Sequence, residues 1–303
     1  MDGFINLLKP PGMTSHDAVN YLRNILRYKK IGHTGTLDPG AAGVLPICLG
    51  KATRLAEYLT ELPKCYRAEI TLGITTDTQD SYGKKERVCA CTQLEQEKFL
   101  QVLPEFVGEQ KQVPPMVSAL RVGGKRLYEL AREGIEIDRT PRTIKIYSLT
   151  VVKFNWRLTH PKVVIDIQCS KGTYIRTLCH DIGERLKVGA HMSYLIRTES
   201  GPFKIQDAYT LEEIMNYDRQ EEKLFIQPMQ AGICFLPVIM VDDIQAKSIK
   251  HGNPVSLSGN NFLENQIYRV ETGEKTLLAI GKVRIGADLK IPVLKPLKVL
   301  ASQ

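Results

Sequence analysis

Apolar positions recur in two different periods along this chain, and the switches between them mark its elements. Thr14 and Ser15 precede Ala18, Val19, Leu22, Ile25 and Leu26, the three-and-four spacing of a capped amphipathic helix, with a basic exit at Arg27, Lys29 and Lys30. Between Ile31 and Gly50 the period vanishes. Gly32, Gly35, Pro39, Gly40, Gly43 and Pro46 punctuate that stretch and predict a long loop held in set backbone shapes. Helical spacing returns at Ala52, Leu55, Ala56 and Leu59. Tyr66, Ala68, Ile70 and Leu72 then alternate with Arg67, Glu69 and Thr71, which predicts a half-buried strand ending at Gly73, followed by a turn over residues 77–83. Thr92 and Glu95 read as a capping box for a helix carrying Leu94, Phe99, Leu103 and Phe106, broken at Val113-Pro114-Pro115. Residues 144–156 and 163–169 read as strands. Thr173 opens a helix with Ile175, Leu178, Ile182 and Leu186 on one face and Arg176 off it.

Beyond Pro237 the pattern changes to short β-rich runs at residues 238–241, 267–270, 276–280, 282–285 and 297–300, divided by glycine-containing turns. The expected division is a large domain over 1–235 and a small all-β module over 236–303, docked together because no flexible linker separates them. No apolar run approaches the roughly 20 residues that span a bilayer. The opening Met1-Asp2-Gly3-Phe4 lacks a secretory signal pattern, so a cytoplasmic location is expected. Seven cysteines at 48, 65, 89, 91, 169, 179 and 234 show no CxxC spacing and read as reduced, mostly buried small hydrophobes; alternation on an exposed strand accounts for Cys89 and Cys91.

Charge narrows the class of partner. Forty-one Lys and Arg against 33 Asp and Glu give a net charge of +8, which favours a polyanion without specifying one. The glycine-rich run 32–40 fails as a phosphate loop: Gly50-Lys51 is followed by Ala52 rather than Ser or Thr, and Leu45 stands five before Gly50. No serine lies in a nucleophile elbow, and the six histidines lack zinc spacing, so no metal is expected. What remains is Asp38, placed before Pro39 in a constrained loop that fixes the direction of its carboxylate. On spacing alone, capping a turn is the commoner role for such an aspartate.

Gly32-His33-Thr34-Gly35-Thr36-Leu37-Asp38-Pro39, continued by Gly43-Val44-Leu45-Pro46, resembles the catalytic motif of the TruB family, the bacterial tRNA pseudouridine-55 synthases. Lys9-Pro10 with Gly12 and Thr14-Ser15 is similar to the family's N-terminal motif, and Lys64-Cys65-Tyr66 through Thr76-Asp77-Thr78 to its second. Ser170-Lys171-Gly172-Thr173-Tyr174-Ile175-Arg176 and Gly189-Ala190-His191 to Leu195 complete the set, in family order across most of residues 1–235.

The resemblance implies an α+β (mixed α/β) catalytic domain around a largely antiparallel sheet, followed by a small PUA-like β-barrel. It implies isomerisation of uridine to pseudouridine at position 55 in the T-arm of tRNA, with Asp38 as catalytic carboxylate. Covalent attack by Asp38 and abstraction of a ribose proton both satisfy that chemistry, which needs no cofactor. Arg176 is expected to pair with Asp38 and keep it ionised. Tyr66 is expected to stack on the extruded base, Tyr174 and Leu195 to line its pocket, and His33 to fill the gap in the stack or contact RNA beside it. Arg121, Lys125, Arg126 and Arg132, in a segment over 111–140, are expected to grip the T-arm through its phosphates. A monomer without an obligate protein partner is expected. The sequence departs from the family pattern at Val117, Arg121, Ile196 and Glu199, where tyrosine, lysine, arginine and arginine are usual. Three rivals remain: a non-catalytic RNA-binding or tRNA-folding protein of the same fold, a carboxylate hydrolase recruiting Asp77 or Asp80 as a second acid, and the archaeal and eukaryotic relative that works with a guide RNA inside a ribonucleoprotein, against which the compact length and the basic segment argue.

Overall fold

A computed structural model describes residues 1–118, 120–259, 261–285 and 291–301, with side chains omitted at Arg121, Arg126 and Arg132. Seven strands carry the large sheet: β1 (Gly3–Lys9), β2 (Ala42–Leu49), β3 (Lys64–Leu72), β4 (Gly108–Gln112), β5 (Arg142–Asn155), β6 (Lys162–Cys169) and β7 (Ala190–Ser200). Their spatial order is β1-β2-β7-β3-β6-β5-β4, extended at the β1 edge by Ile226–Gln227, with Ile31–His33 added to β2 and Phe203–Lys204 to β7. Every pairing is antiparallel except β2 with β7, which run parallel over two residue pairs, Ala42 with Ile196 and Gly43 with Arg197. Helices α1 (Ser15–Leu26) and α2 (Ile175–Arg185) cover the sheet with Ala18, Val19, Leu22, Leu178 and Ile182, in one core with Ile5, Leu45, Ala68 and Ile165. Thr14 caps α1 and Asp17 closes the capping box, as the spacing predicts.

Three expectations are corrected. The stretch from Ile31 to Gly50 is a loop only over residues 34–41; Ala42–Leu49 is a fully buried central strand. Its glycine and proline are tolerated for local reasons. Pro46 lies between the segment paired with Ile31–His33 and the segment paired with β7, so its missing N–H leaves no partner strand unserved there. Gly43 adopts φ +112°, and a Cβ on it would stand 2.2 Å from the Arg197 carbonyl oxygen, so only glycine lets β7 come this close. Second, the Thr92 capping box does not form, and the helix begins at Gln96. The Leu94 amide bonds to Cys91 and the Leu94 carbonyl accepts from the Trp156 indole, which commits residues 91–94 to a turn; Cys91 is buried there, past the strand Lys85–Val88.

Third, the C-terminal module is not all-β. Strands β8 (Val238–Val241), β9 (Val255–Ser256), β10 (Ile267–Thr272), β11 (Leu277–Arg284) and β12 (Val293–Val299) are joined by helix α3 (Asp243–Lys250), and residues 276–285, read as two strands, hold the single strand β11. The sheet order β8-β10-β11-β12-β9 forms a curled half-barrel rather than a closed barrel among the described residues. The module has its own core around Val270, Ile249 and Leu294. A second apolar cluster is shared: Phe4, Val44, Cys48 and Leu55 pack with Leu277, Ile280 and Leu300. Lys298 reinforces this junction by pairing with Glu57 and donating to the Arg54 carbonyl. No helix among the described residues is long and apolar enough to cross a membrane.

Candidate active site

The loop that bears Asp38 is tied down at nearly every residue. Arg197 donates to the Gly35 carbonyl at 3.1 Å, and the Ser15 hydroxyl accepts from the Leu37 amide at 2.9 Å. The Gly12 amide reaches the Pro39 carbonyl at 2.9 Å and the Ala41 amide reaches the Asp38 carbonyl at 3.0 Å. Lys9, at the end of β1, is fully buried and gives its ammonium to the carbonyls of Pro10 and Met13 at 2.8 Å and of Pro39 at 3.4 Å. Burial lowers its pKa to about 8, with Asp38 pulling upward and Arg197 pushing down.

These bonds give a stability prediction. Lys9→Met strands three carbonyls, each worth about 1–3 kcal/mol when left buried and unpaired, offset in part by sparing the burial of an ammonium. The expected net loss is about 2 kcal/mol in urea unfolding at neutral pH. Because Lys9 titrates lower in the folded state, wild-type stability is constant below about pH 8 and rises from there toward 10.5, a slope the variant lacks. An unchanged midpoint would show that the three bonds contribute nothing net.

Asp38 opens onto a pocket of about 290 Å³ with Tyr66, Tyr174, Arg176 and Leu195 in its wall, so the five residues expected around the base come together. Tyr66 is half-buried on β3, opposite Arg197 of β7 and Ile167 of β6. Tyr174 precedes α2, and its backbone is held at both ends by the buried Gln112 side chain, which accepts from the Tyr174 amide at 2.8 Å and donates to its carbonyl at 3.0 Å. Both tyrosine hydroxyls are pushed above their ordinary pKa by burial, so both stay neutral donors at physiological pH.

Arg176 is 3% exposed and stands between two carboxylates: Asp38 at 3.5 Å and Asp80 at 3.7 Å. It also donates to the Val117 carbonyl, which ties the root of the 111–140 segment to the site, and its guanidinium lies 5.8 Å from the Tyr174 ring centroid. Burial among protein atoms raises the Asp38 pKa above the usual carboxylate value; Arg176 opposes that rise, Asp80 adds to it and Lys9 opposes it. The Asp38 side chain nonetheless keeps 37% of its surface exposed, on the side of the pocket.

His33 is not brought into the pocket. It lies on Ile31–His33 beside β2, and burial, Arg197 and His16 hold its imidazole below the ordinary pKa, hence neutral. Arg121 and Arg126 belong to a two-stranded hairpin, Arg121–Val122 with Lys125–Arg126, and Arg132 ends the helix Leu127–Arg132; their side chains lie outside the described residues. Lys125 pairs with Glu133 at 3.1 Å with both side chains in solvent. Four residues were missed by sequence reasoning as parts of the site: Lys9, Asp80, Gln112 and Arg197. Arg197 is fully buried, donating also to the Val44 carbonyl at 2.7 Å.

In solved structures the fold recurs at full length. It matches a chain of "Structure of H/ACA RNP bound to a substrate RNA containing 2'-deoxyuridine" with TM-score 0.76 and 29% identity over 99% of this chain and 85% of that one. A chain of "Crystal Structure of a Cbf5-Nop10-Gar1 Complex" gives TM-score 0.75 and 31% identity over 98% and 84%. The sequence model for the N-terminal domain of TruB family pseudouridylate synthases matches residues 23–175, and that for the tRNA pseudouridylate synthase B C-terminal domain matches 176–233. Fold and sequence thus define a pseudouridine synthase, an isomerase. A tRNA pseudouridine synthase B of Symbiobacterium thermophilum is 51% identical over 83% of this chain and 82% of its own length; one of Pelotomaculum thermopropionicum is 45% identical over 100% and 98%. The chain belongs to the TruB family.

Proposed function

We propose that the chain isomerises uridine at position 55 in the T-arm of tRNA, with Asp38 as the catalytic carboxylate. The observation that carries this reading is the placement of a partly open Asp38 carboxylate against a buried arginine, in a pocket walled by Tyr66, Tyr174 and Leu195. Isomerisation breaks the C1′–N1 bond, turns the uracil and joins C5 to C1′; C5 gives up its proton and the freed N1 takes one up, so atoms balance. It is redox-neutral and intramolecular, so its demands are an anionic group at the sugar, a cavity in which the base can turn, and exclusion of water. Asp38 supplies the first, and Arg176 favours its charged form against burial. The Tyr66 face offsets part of the loss of base stacking, about 1–3 kcal/mol per base.

His33, outside the pocket and neutral, is suited to the place in the stack that the uridine leaves, or to RNA beside it. The segment 111–140, with Arg121, Lys125, Arg126 and Arg132, is read as the grip on the T-arm phosphates, and residues 236–303 as a PUA-like module that braces both protein and RNA. The chain is read as a monomer acting without an obligate protein partner, in the cytoplasm. Release of tritium from C5-labelled uridine in an unmodified tRNA transcript, with no nucleotide or metal added, tests the reading; RNA binding without release would leave a non-catalytic tRNA-folding protein.

Reversing Lys125 and Arg126 together to glutamate should weaken T-arm binding and flatten the plot of log Kd against log salt by about one to two units of slope. Lys125 pairs with Glu133 and both side chains are exposed, so loss of that pair should cost the fold little. An unchanged slope would remove the segment from the interface.

A further inference from the structure

A second cleft, of about 560 Å³, shares Asp38, Arg176 and Leu195 with the first and is lined besides by Tyr82, Met192 and Tyr194, to which no role has been given. Two tyrosines at its rim are left in solvent, Tyr82 with 74% and Tyr194 with 49% of its surface exposed. Neither sits on a loose segment. The Tyr82 amide donates to the Asp80 carboxylate at 2.9 Å, Thr78 donates to the same oxygen at 2.6 Å, and the turn is fastened to β7 by Ser81 to Met192 at 3.1 Å and Met192 to Gln79 at 3.0 Å. The Tyr82 ring lies against the backbone of Gly40, two residues beyond Asp38: a Cβ at Gly40 would stand 2.0 Å from the ring. An aromatic face is therefore presented beside the Asp38 loop by a fixed turn.

Charge decides what it presents that face to. Among the described residues lining the cleft Arg176 is the sole cation, already placed between Asp38 and Asp80, whose carboxylates repel a phosphate. A neutral flat ring suits the cleft; a phosphate group does not. Because neighbouring nucleotides are joined to an extruded one by a single phosphodiester link, a cleft sharing a wall with the target pocket lies where the next base falls. We infer that Tyr82 and Tyr194 form a stacking platform for the base of a nucleotide flanking the target uridine. This inference rests on the uridine isomerase reading above.

The test is a double-mutant cycle on binding, with Tyr82→Ala and synthetic T-arm stem-loops carrying an abasic residue immediately 5′ or 3′ of the target. Tyr82→Ala should weaken Kd for the intact stem-loop roughly 5- to 20-fold, the lower range for loss of one base–aromatic stack. The rate at saturating RNA should stay within about twofold of wild type, so that KM moves and kcat does not. Tyr82→Phe should bind as wild type. On one of the two abasic RNAs, wild type and Tyr82→Ala should bind alike. Unchanged affinity for intact RNA, or equal weakening on both abasic RNAs, overturns the platform. Tyr194→Ala in the same cycle gives a second route should Tyr82→Ala fold poorly. The readout is binding, so absence of tritium release by wild-type protein would refute the isomerase reading while leaving the Tyr82 coupling visible.

Discussion

Asp38→Asn is expected to abolish tritium release, lowering turnover by at least about 10³-fold, while Kd for the T-arm changes by less than about threefold. The amide fills the same space and keeps the loop's backbone bonds, none of which uses the Asp38 side chain. What it loses is the charge. Stability should hold or rise slightly, because the replaced carboxylate is one whose pKa burial already raises. Urea unfolding, filter binding and tritium release on one preparation separate these effects. Conversion at the wild-type rate by the variant would refute the assignment of Asp38.

Arg176→Met should have the second largest effect, and its signature lies in pH. In the wild type Asp38 is already above the ordinary carboxylate value through burial, with Arg176 opposing and Asp80 reinforcing the shift. Turnover should therefore fall as pH drops through that raised pKa. Removing the guanidinium leaves Asp38 and Asp80 without the cation between them, which raises the Asp38 pKa further. The acid limb of kcat should move to higher pH, with a loss on the order of 10²- to 10³-fold at neutrality that shrinks in alkali. Arg176→Lys should recover part of the charge but not the fork that reaches both carboxylates and Val117. A loss of equal size at every pH, with the limb unmoved, would reduce Arg176 to a structural fastener.

The helix stripes and the alternation of β3 were legible because each repeats one physical preference over many residues. Asp38, Tyr66 and Arg176 could be named because each sits in a contiguous motif block. Asp80 was nominated only as a rival's second acid. It lies far from Asp38 in sequence and reaches Arg176 through a bridge to Met192 that no local pattern announces. Arg197 was missed because, on an alternating strand, an arginine turned inward to bond the Val44 and Gly35 carbonyls reads like one turned to water. Lys9 stands in a motif block, yet burial of its ammonium depends on carbonyls that the fold gathers round it, that of Pro39 thirty residues away. In Ala42–Leu49 glycine and proline point to a loop, while the continuous apolar run points to a buried strand and is the better signal. Helix α3 did have a signal, the capping pair Asp242 and Gln245.

The apolar cluster joining the two parts of the chain bears on how the protein can be altered. Phe4 and Val44 present one face of β1 and β2 to it, while Ile5 and Leu45 present the opposite face to the main core. The strand leaving the Asp38 loop is thus clad on both sides, and one side is completed by Leu277, Ile280 and Leu300. The tail cannot be deleted or exchanged as a cassette without baring the back of the strand that leaves the Asp38 loop, and variation in the tail is constrained by the packing of that strand even at residues far from the pocket.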